Sequence, residues 1–445
     1  MQTEPLNVSI LTGKIAIATA ALTHGLFATF VVGTTLIGAI IATVAFVNRK
    51  EPYMRLSRTL AFTLVLTTAT VSFMGVTLVF MLNIYWPRFW STIFRIMFWP
   101  FILEASFFLG EAVFIYAWYY TWNWSALEGW RRRAHLSFVW IGTFFALIAM
   151  VMIDMVASYM LTPAPQNTAS IWPKLFNTTF LHLDIHRFFG NLTWAGFALA
   201  ALSAIGYLRA KAPEDRAHYQ WTGRLLFVIG FAALLIMPIS GFLYLRQIRY
   251  SQPQAFFTLM LGERSPLFDL VALLYGLLVA VGSIHIYKTV RSKTPRPATF
   301  DSFMPVSLAA VALAALLLAT PYQIQNIPYA SLLTDLRINP LGKMQPYKYI
   351  ALALLIVLGL FNLVYFIRAF PWRRIWERDR WEGPAGRPAP YLLISLALLS
   401  ILIYLSMGWV RETARAANGY LIYGMVSIED ERPTYQPSER VQKEE

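Results

Sequence analysis

Residues 99–122 read WPFILEASFFLGEAVFIYAWYYTW. The stretch is apolar and long enough to cross a bilayer, which takes ~20 helical residues. It nonetheless carries two carboxylates, Glu104 and Glu111. Their separation is close to two helical turns, so on a helix both point to one face. A carboxylate inside hydrocarbon is costly and marks a functional site by default. The plainer reading is a pair of acids that hydrogen-bond to a neighbouring helix. The rest of the chain decides between ligand, proton relay and structural glue.

Of 445 residues, 57% are hydrophobic and only 13% charged, which excludes a soluble enzyme. The fold expected is all-α, a polytopic integral membrane helix bundle. The absence of cysteine excludes disulfides, thiolate metal sites, iron–sulfur clusters and covalent haem attachment. Any haem here is therefore non-covalent. The net charge of +14 fits basic loops on one side of a membrane, so no nucleic-acid partner is inferred. The many aromatic residues fit lipid-interface belts and helix packing first, and packing against flat cofactors second. No cleavable leader is evident, because the first apolar run is too long and lacks a basic flank.

Ten hydrophobic spans follow, at roughly 15–47, 56–84, 95–122, 134–161, 186–209, 219–246, 266–291, 303–320, 347–369 and 389–411. The eighth is short enough to be a re-entrant or tilted segment. Basic residues gather after the odd-numbered spans: Arg49, Lys50, Arg55 and Arg58; Arg131, Arg132 and Arg133; Arg209, Lys211 and Arg216; Lys288, Arg291, Lys293 and Arg296; then Arg373, Arg374, Arg378, Arg380 and Arg387. The positive-inside rule then puts both termini outside. The parts are an extracytoplasmic segment 1–14, a helix bundle 15–264 ending in a short outer loop 247–264, two additional helices in 265–320, an outer loop and two last helices in 321–411, and an acidic tail 412–445.

With that topology the polar residues favour one leaflet. His24 and Asp154 lie in the outer halves of their spans, Glu104 about ten residues in from the outside, and His182, His186 and Glu412 at outer helix ends. Histidine and glutamate converging near one surface point to metal or haem ligands. Separately satisfied helix-end groups is the alternative, better suited to His182 and Glu412. His135 and His218 fall in basic loops and are expected to be solvated, and His285 to be interfacial.

These residues resemble subunit I of the cytochrome bd quinol oxidases, over 14–260 and again over 340–424. KIAIATAALTHGLF, from Lys14 through His24, is similar to the family's basic residue ahead of a haem histidine. FILEASFFLGEAVF resembles its two-glutamate helix, although the family's pair stands one residue further apart. ASYMLTP at 157–163 is similar to the family's NGWMQNP, and DIHRFFGNLTWAG to the helix start that supplies the low-spin haem histidine, here His186. MGWVRETARAANG resembles the GW…E-x-G-R segment, with Glu412 and Arg415 keeping their spacing.

The resemblance implies two or more haem b groups, with haem d as a further candidate. It implies high-spin haem at His24 and Glu412 with Glu104 near them, low-spin haem at His186, and Glu111 on a proton path. Lys14, Lys348 and Arg415 would meet haem propionates. Two departures stand out. The family's F-R-x-M, whose methionine is the second low-spin ligand, reads Tyr347-Lys348-Tyr349-Ile350, leaving Met344 one turn earlier as the substitute. The quinol loop keeps Gln252 and Pro253, with Arg249 just before them, but puts Ala255 and Met260 where the family has lysine and glutamate. Without that acid–base pair, ordinary quinol oxidation is not expected.

Two function classes follow from the resemblance. One is a haem-bearing terminal oxidase subunit of a bacterial-type inner membrane, fed by quinol or a periplasmic cytochrome. The other is an electron-transfer subunit joining a quinone pool to an extracytoplasmic c-type cytochrome or partner complex, without oxygen chemistry. Both imply further membrane subunits of a respiratory complex. A transporter, the third class, predicts internal repeats, and none is evident.

Overall fold

The structure is a computed structural model that describes residues 10–126, 128–165, 167–260, 262, 264–293, 301–320, 346–370, 381–416 and 418–431, with the backbone alone at 10–12, 126, 346 and 412–416. Nine helices among the described residues are long and apolar enough to cross a membrane. They are α1 (Ile10–Asn48), α2 (Glu51–Tyr85), α4 (Phe98–Tyr120), α5 (Trp130–Leu161), α7 (Phe180–Arg209), α8 (Pro213–Ser251), α10 (Ser265–Arg291), α12 (Pro346–Ala369) and α13 (Ala389–Ala416). Four shorter helices complete the set: α3 (Pro87–Ile96), α6 (Trp172–Leu175), α9 (Pro253–Met260) and α11 (Met304–Leu318).

The third span begins later than the hydropathy suggested. Met97 leaves helical geometry and separates α3, apolar on one side, from α4. The eighth span is α11, whose 15 residues reach only ~22 Å at 1.5 Å per residue, short of a ~30 Å hydrocarbon core. It still runs from one end of the bundle to the other. Asp301, just before it, accepts a 2.5 Å hydrogen bond from Tyr365 near the end of α12, while Thr320, just after it, donates to Tyr347 at 2.8 Å near the start of α12. A buried clasp seats it: Ser307 donates to Asn362, and Asn362 to Ser283, each at 2.9 Å.

One end of the bundle gathers the basic connections. Arg49 pairs with Glu128 at 3.4 Å, Arg55 with Asp215 at 2.6 Å and Arg216 with Glu382 at 3.7 Å, and Lys293 donates to the Ala369 carbonyl at 2.8 Å. The loops after α1, α4, α7, α10 and α12 therefore share this basic end. At the distal end the chain after α13 forms a two-stranded antiparallel hairpin, β1 (Tyr420–Ile422) with β2 (Val426–Ser427). It is the one sheet among the described residues. Leu421, Ile422, Val426 and Ile428 pack onto Phe89 and Ile93 of α3 and onto Val156 and Tyr159 of α5.

Three histidines differ from the sequence expectation. His135 is buried, 2.9 Å from the Thr121 hydroxyl and against the edge of Trp122, because α5 starts early enough to carry it into the bundle. His285 is fully buried, with Nδ1 3.2 Å from the Ala389 carbonyl and Phe227 4.6 Å away ring to ring. His218 is half-buried between Tyr219 and Trp221.

Candidate functional site

Close helix crossings pack together the helices that carry His24, His186 and Glu412. A Cβ on Gly196 would come within 2.5 Å of the Gly230 backbone, so α7 and α8 touch where neither has a side chain. Gly33 of α1 likewise lies on α7, where a Cβ would meet the Asn191 carbonyl oxygen at 2.3 Å. Trp194 of α7 donates to the Leu26 carbonyl of α1 at 3.0 Å. Gly25 faces the Tyr404 hydroxyl of α13, and Gly408 of α13 faces Leu22, each so close that a Cβ would make that side chain move. These contacts stack α1, α7, α8 and α13 around the histidines.

His24 sits on α1 with Nδ1 3.3 Å from the Val71 carbonyl of α2, and Gly75, one turn further along α2, leaves room for its ring. His186 sits on α7 with Nδ1 3.1 Å from the Ser240 hydroxyl of α8, above Gly241 and stacked on Tyr244. Pro238 lies inside α8 beside this contact, where it removes a backbone donor and loosens the helix locally. Both rings are half-buried and each spends Nδ1 on an oxygen, which leaves Nε2 as the nitrogen for a metal. His182 lies one turn before His186. It is half-buried rather than in open water, and its Nδ1 is enclosed without a partner.

Glu104 and Glu111 share one face of α4 and are close enough to act on each other electrostatically. Glu111 is only 2% exposed and stands beside Thr35 of α1, with one carboxyl oxygen unpartnered. Glu104 is half-buried. Lys14 lies in the second turn of α1 at the distal end, next to Gly13, which meets Tyr85 at the end of α2. The side chains of Glu412 and Arg415 lie outside the described residues, as does all of Met344; the α13 backbone reaches Glu412 one turn past Gly408.

Lys348 has a protein carboxylate for a partner, Asp269 of α10 at 2.6 Å, in a pair 6% and 15% exposed. In the loop 247–264, Gln252 caps α8 and turns the chain into α9, and Arg249 lies over the Phe256 ring. Ala255 and Met260 are buried with Phe256, Leu259, Ile248 and Val410 in an apolar cluster, so no ionisable group occupies either position.

A further pair was not assembled from the sequence. Asp154 of α5 and Arg187 of α7 form a hydrogen-bonded ion pair, the aspartate with no exposed side-chain surface. Two opposite charges at similar depth in different apolar spans were the available signal, but which helices are neighbours is a tertiary fact. Among the described residues, no three or more histidine, aspartate or glutamate side chains gather closely enough to hold a bare metal ion.

Residues 13–261 match the family described as cytochrome bd terminal oxidase subunit I, which is more than half of the chain. The chain belongs to that family. A curated relative, cytochrome bd ubiquinol oxidase subunit 1 of Bacillus subtilis (strain 168), is 22% identical over 253 residues, 55% of this chain and 52% of that protein. The match thus spans about half the length of the relative. A solved structure, that of the bd oxidase from Geobacillus thermodenitrificans, aligns with 91% of this chain and 98% of that one at TM-score 0.51 and 16% identity. That likeness extends the shared fold past the end of the family match. The bd-family chain is a multi-pass membrane protein, as befits the bacterial inner membrane of bd-type oxidases.

Proposed function

We propose that the chain is a haem-binding membrane subunit of a bd-like oxidase, passing electrons from quinol or a periplasmic cytochrome towards oxygen. The observation that carries this reading is the state of two imidazoles in the distal half. His24 and His186 each hold Nδ1 on an oxygen of a neighbouring helix and keep Nε2 for iron. When bound, haem would supply a reversible one-electron couple suited to electron transfer. His186 serves the low-spin group and His24 a high-spin one, with Glu104 near and Glu412 on α13. Glu111 moves protons between the basic end and the site. Lys348 would hold a haem carboxylate alongside Asp269, because its ammonium has three donors, and Lys14 and Arg415 are the other propionate partners.

The test is a reduced-minus-oxidised spectrum with pyridine haemochrome of the purified chain, followed by acid–acetone extraction. Two or more haems, all extractable, are expected. Intact protein without haem absorbance would sink the reading and favour a transporter.

A second reading has its own observation. The apolar cluster around Ala255 and Met260 leaves the quinol loop without an acid–base pair, which favours a subunit that relays electrons between a quinone pool and an extracytoplasmic cytochrome without oxygen reduction. Slow steady-state quinol oxidation by the whole complex is expected. Fast turnover abolished by Arg249→Ala or Gln252→Ala would show that another residue set has replaced the pair.

A further inference from the structure

Arg187 follows His186 directly in α7, so the two side chains leave the helix ~100° apart. His186 turns to Ser240 and Tyr244 of α8. Arg187 turns to Asp154 of α5, and its charge reaches both His24 of α1 and Tyr404 of α13. The guanidinium therefore lies on the Asp154 side of α7, within electrostatic reach of His24 and of Tyr404, whose hydroxyl faces Gly25 beside His24. Asp154 engages Nη1, and 25% of the Arg187 side chain remains exposed within a bundle whose surrounding residues are half-buried. A guanidinium carries five donors in a planar fork that matches a carboxylate in two-point contact.

Asp154 has no exposed side-chain surface. A carboxylate that deep persists only with a partner, and here the partner is held as firmly as the acid. Asp184, two residues before His186, also lies beside Asp154, so a single cation answers two acids. Tying α5 to α7 does not require that cation to be an arginine with donors left over beside His24.

We propose that Arg187, oriented by Asp154, is the cation that holds a carboxylate arm of the haem bound at His24. It is a positioning residue: it touches neither iron nor substrate, and it fixes where the macrocycle lies along α1. The inference rests on the haem reading given above.

The experiment uses haem-loaded, detergent-purified protein with Arg187→Met, Arg187→Lys, Asp154→Asn and the double variant Arg187→Met/Asp154→Asn. It measures haem content, midpoint potential by spectroelectrochemical titration, and melting temperature. Removing a fixed cation lowers the potential of the adjacent haem, and removing a fixed anion raises it. Arg187→Met should lower haem affinity by about tenfold or more, the scale for outer partners of metal ligands, and lower the potential of one haem. Arg187→Lys should retain most of the haem. Asp154→Asn should shift that same haem's potential upwards. The double variant, which removes both members of the Asp154–Arg187 pair together, keeps the comparison possible if a single variant fails to fold. It should melt near the wild type yet still lack haem affinity. Unmoved potentials in all variants, or full haem content in the double variant, would reduce the pair to a tie between helices. Wild-type protein free of haem would instead overturn the functional reading itself.

Discussion

His182 and His186 stand one turn apart on α7, and what separates them is the oxygen each imidazole finds. His186 has Ser240 on Nδ1, which fixes its tautomer and aims Nε2. His182 has its Nδ1 enclosed with nothing to bond. On the haem reading, His186→Ala removes the low-spin signal from the reduced-minus-oxidised spectrum while the other haem signals stay, and His182→Ala leaves it in place. Loss in His182→Ala alone would reverse the assignment, and loss in neither would remove α7 from iron ligation. Lys348 allows a second residue-scale test. Its pairing with Asp269 excludes most water, and breaking a buried pair by removing one partner costs about 3–5 kcal/mol. Lys348→Met should therefore lower the melting temperature in detergent markedly, and Lys348→Met/Asp269→Leu should recover most of the loss, because no lone charge remains. Equal melting of the single and double variants would mean that the pair contributes packing and no electrostatics.

At the scale of elements, the chain after α13 is a strap across the distal end. Tyr423 donates its backbone N–H to the Met160 carbonyl at 2.9 Å and its hydroxyl to Gln254 at 2.7 Å, tying α5 to α9. Glu431 accepts the backbone N–H groups of Arg88 and Phe89 at the start of α3, where exposed helix donors favour an anion. Burial pushes the Glu431 carboxyl up from its ordinary range, and the two N–H donors only partly offset this. A carboxyl raised on docking binds its proton more tightly when docked. Docking is therefore strongest below the ordinary glutamate range and weakens as pH rises through the raised value. Amide exchange over 420–431, corrected for intrinsic rates, should show more protection at pH 5 than at pH 8, and Glu431→Gln should flatten the difference. Greater protection at the higher pH would mean that the donors at α3 outweigh burial.

For the whole molecule, the two ends differ in charge, and that difference sets orientation. Arg49, Arg55, Arg216 and Lys293 meet across loops at one end, while the strap and α9 lie at the other. Under the positive-inside rule the basic end is expected to face the cytoplasm. A peptide tag inserted at Gly383 should be reachable only from the cytoplasmic side, and one at Gly262 only from outside. Both tags reachable from the same side would break the assignment of the loop after α9 and the loop after α12 to opposite ends of the bundle.

Much of this was legible before any tertiary contact was known. Apolar runs of membrane length fix a helix bundle, because backbone amides in hydrocarbon can bond only within their own helix. The motifs around His24, Glu104 and His186 pointed to the family, and each lies on the helix and in the half of the bundle that the spans implied. Sequence period could not say which helices touch. That was decided where glycine meets backbone, at Gly33 on Asn191 and Gly196 on Gly230, and those contacts set the partners of every polar side chain. Thus Lys348 has Asp269, Asp154 has Arg187, and His135 and His285 are buried despite their place near basic loops. A span's hydropathy records the solvent it lives in, whereas the partner of a buried charge depends on packing, which hydropathy does not encode.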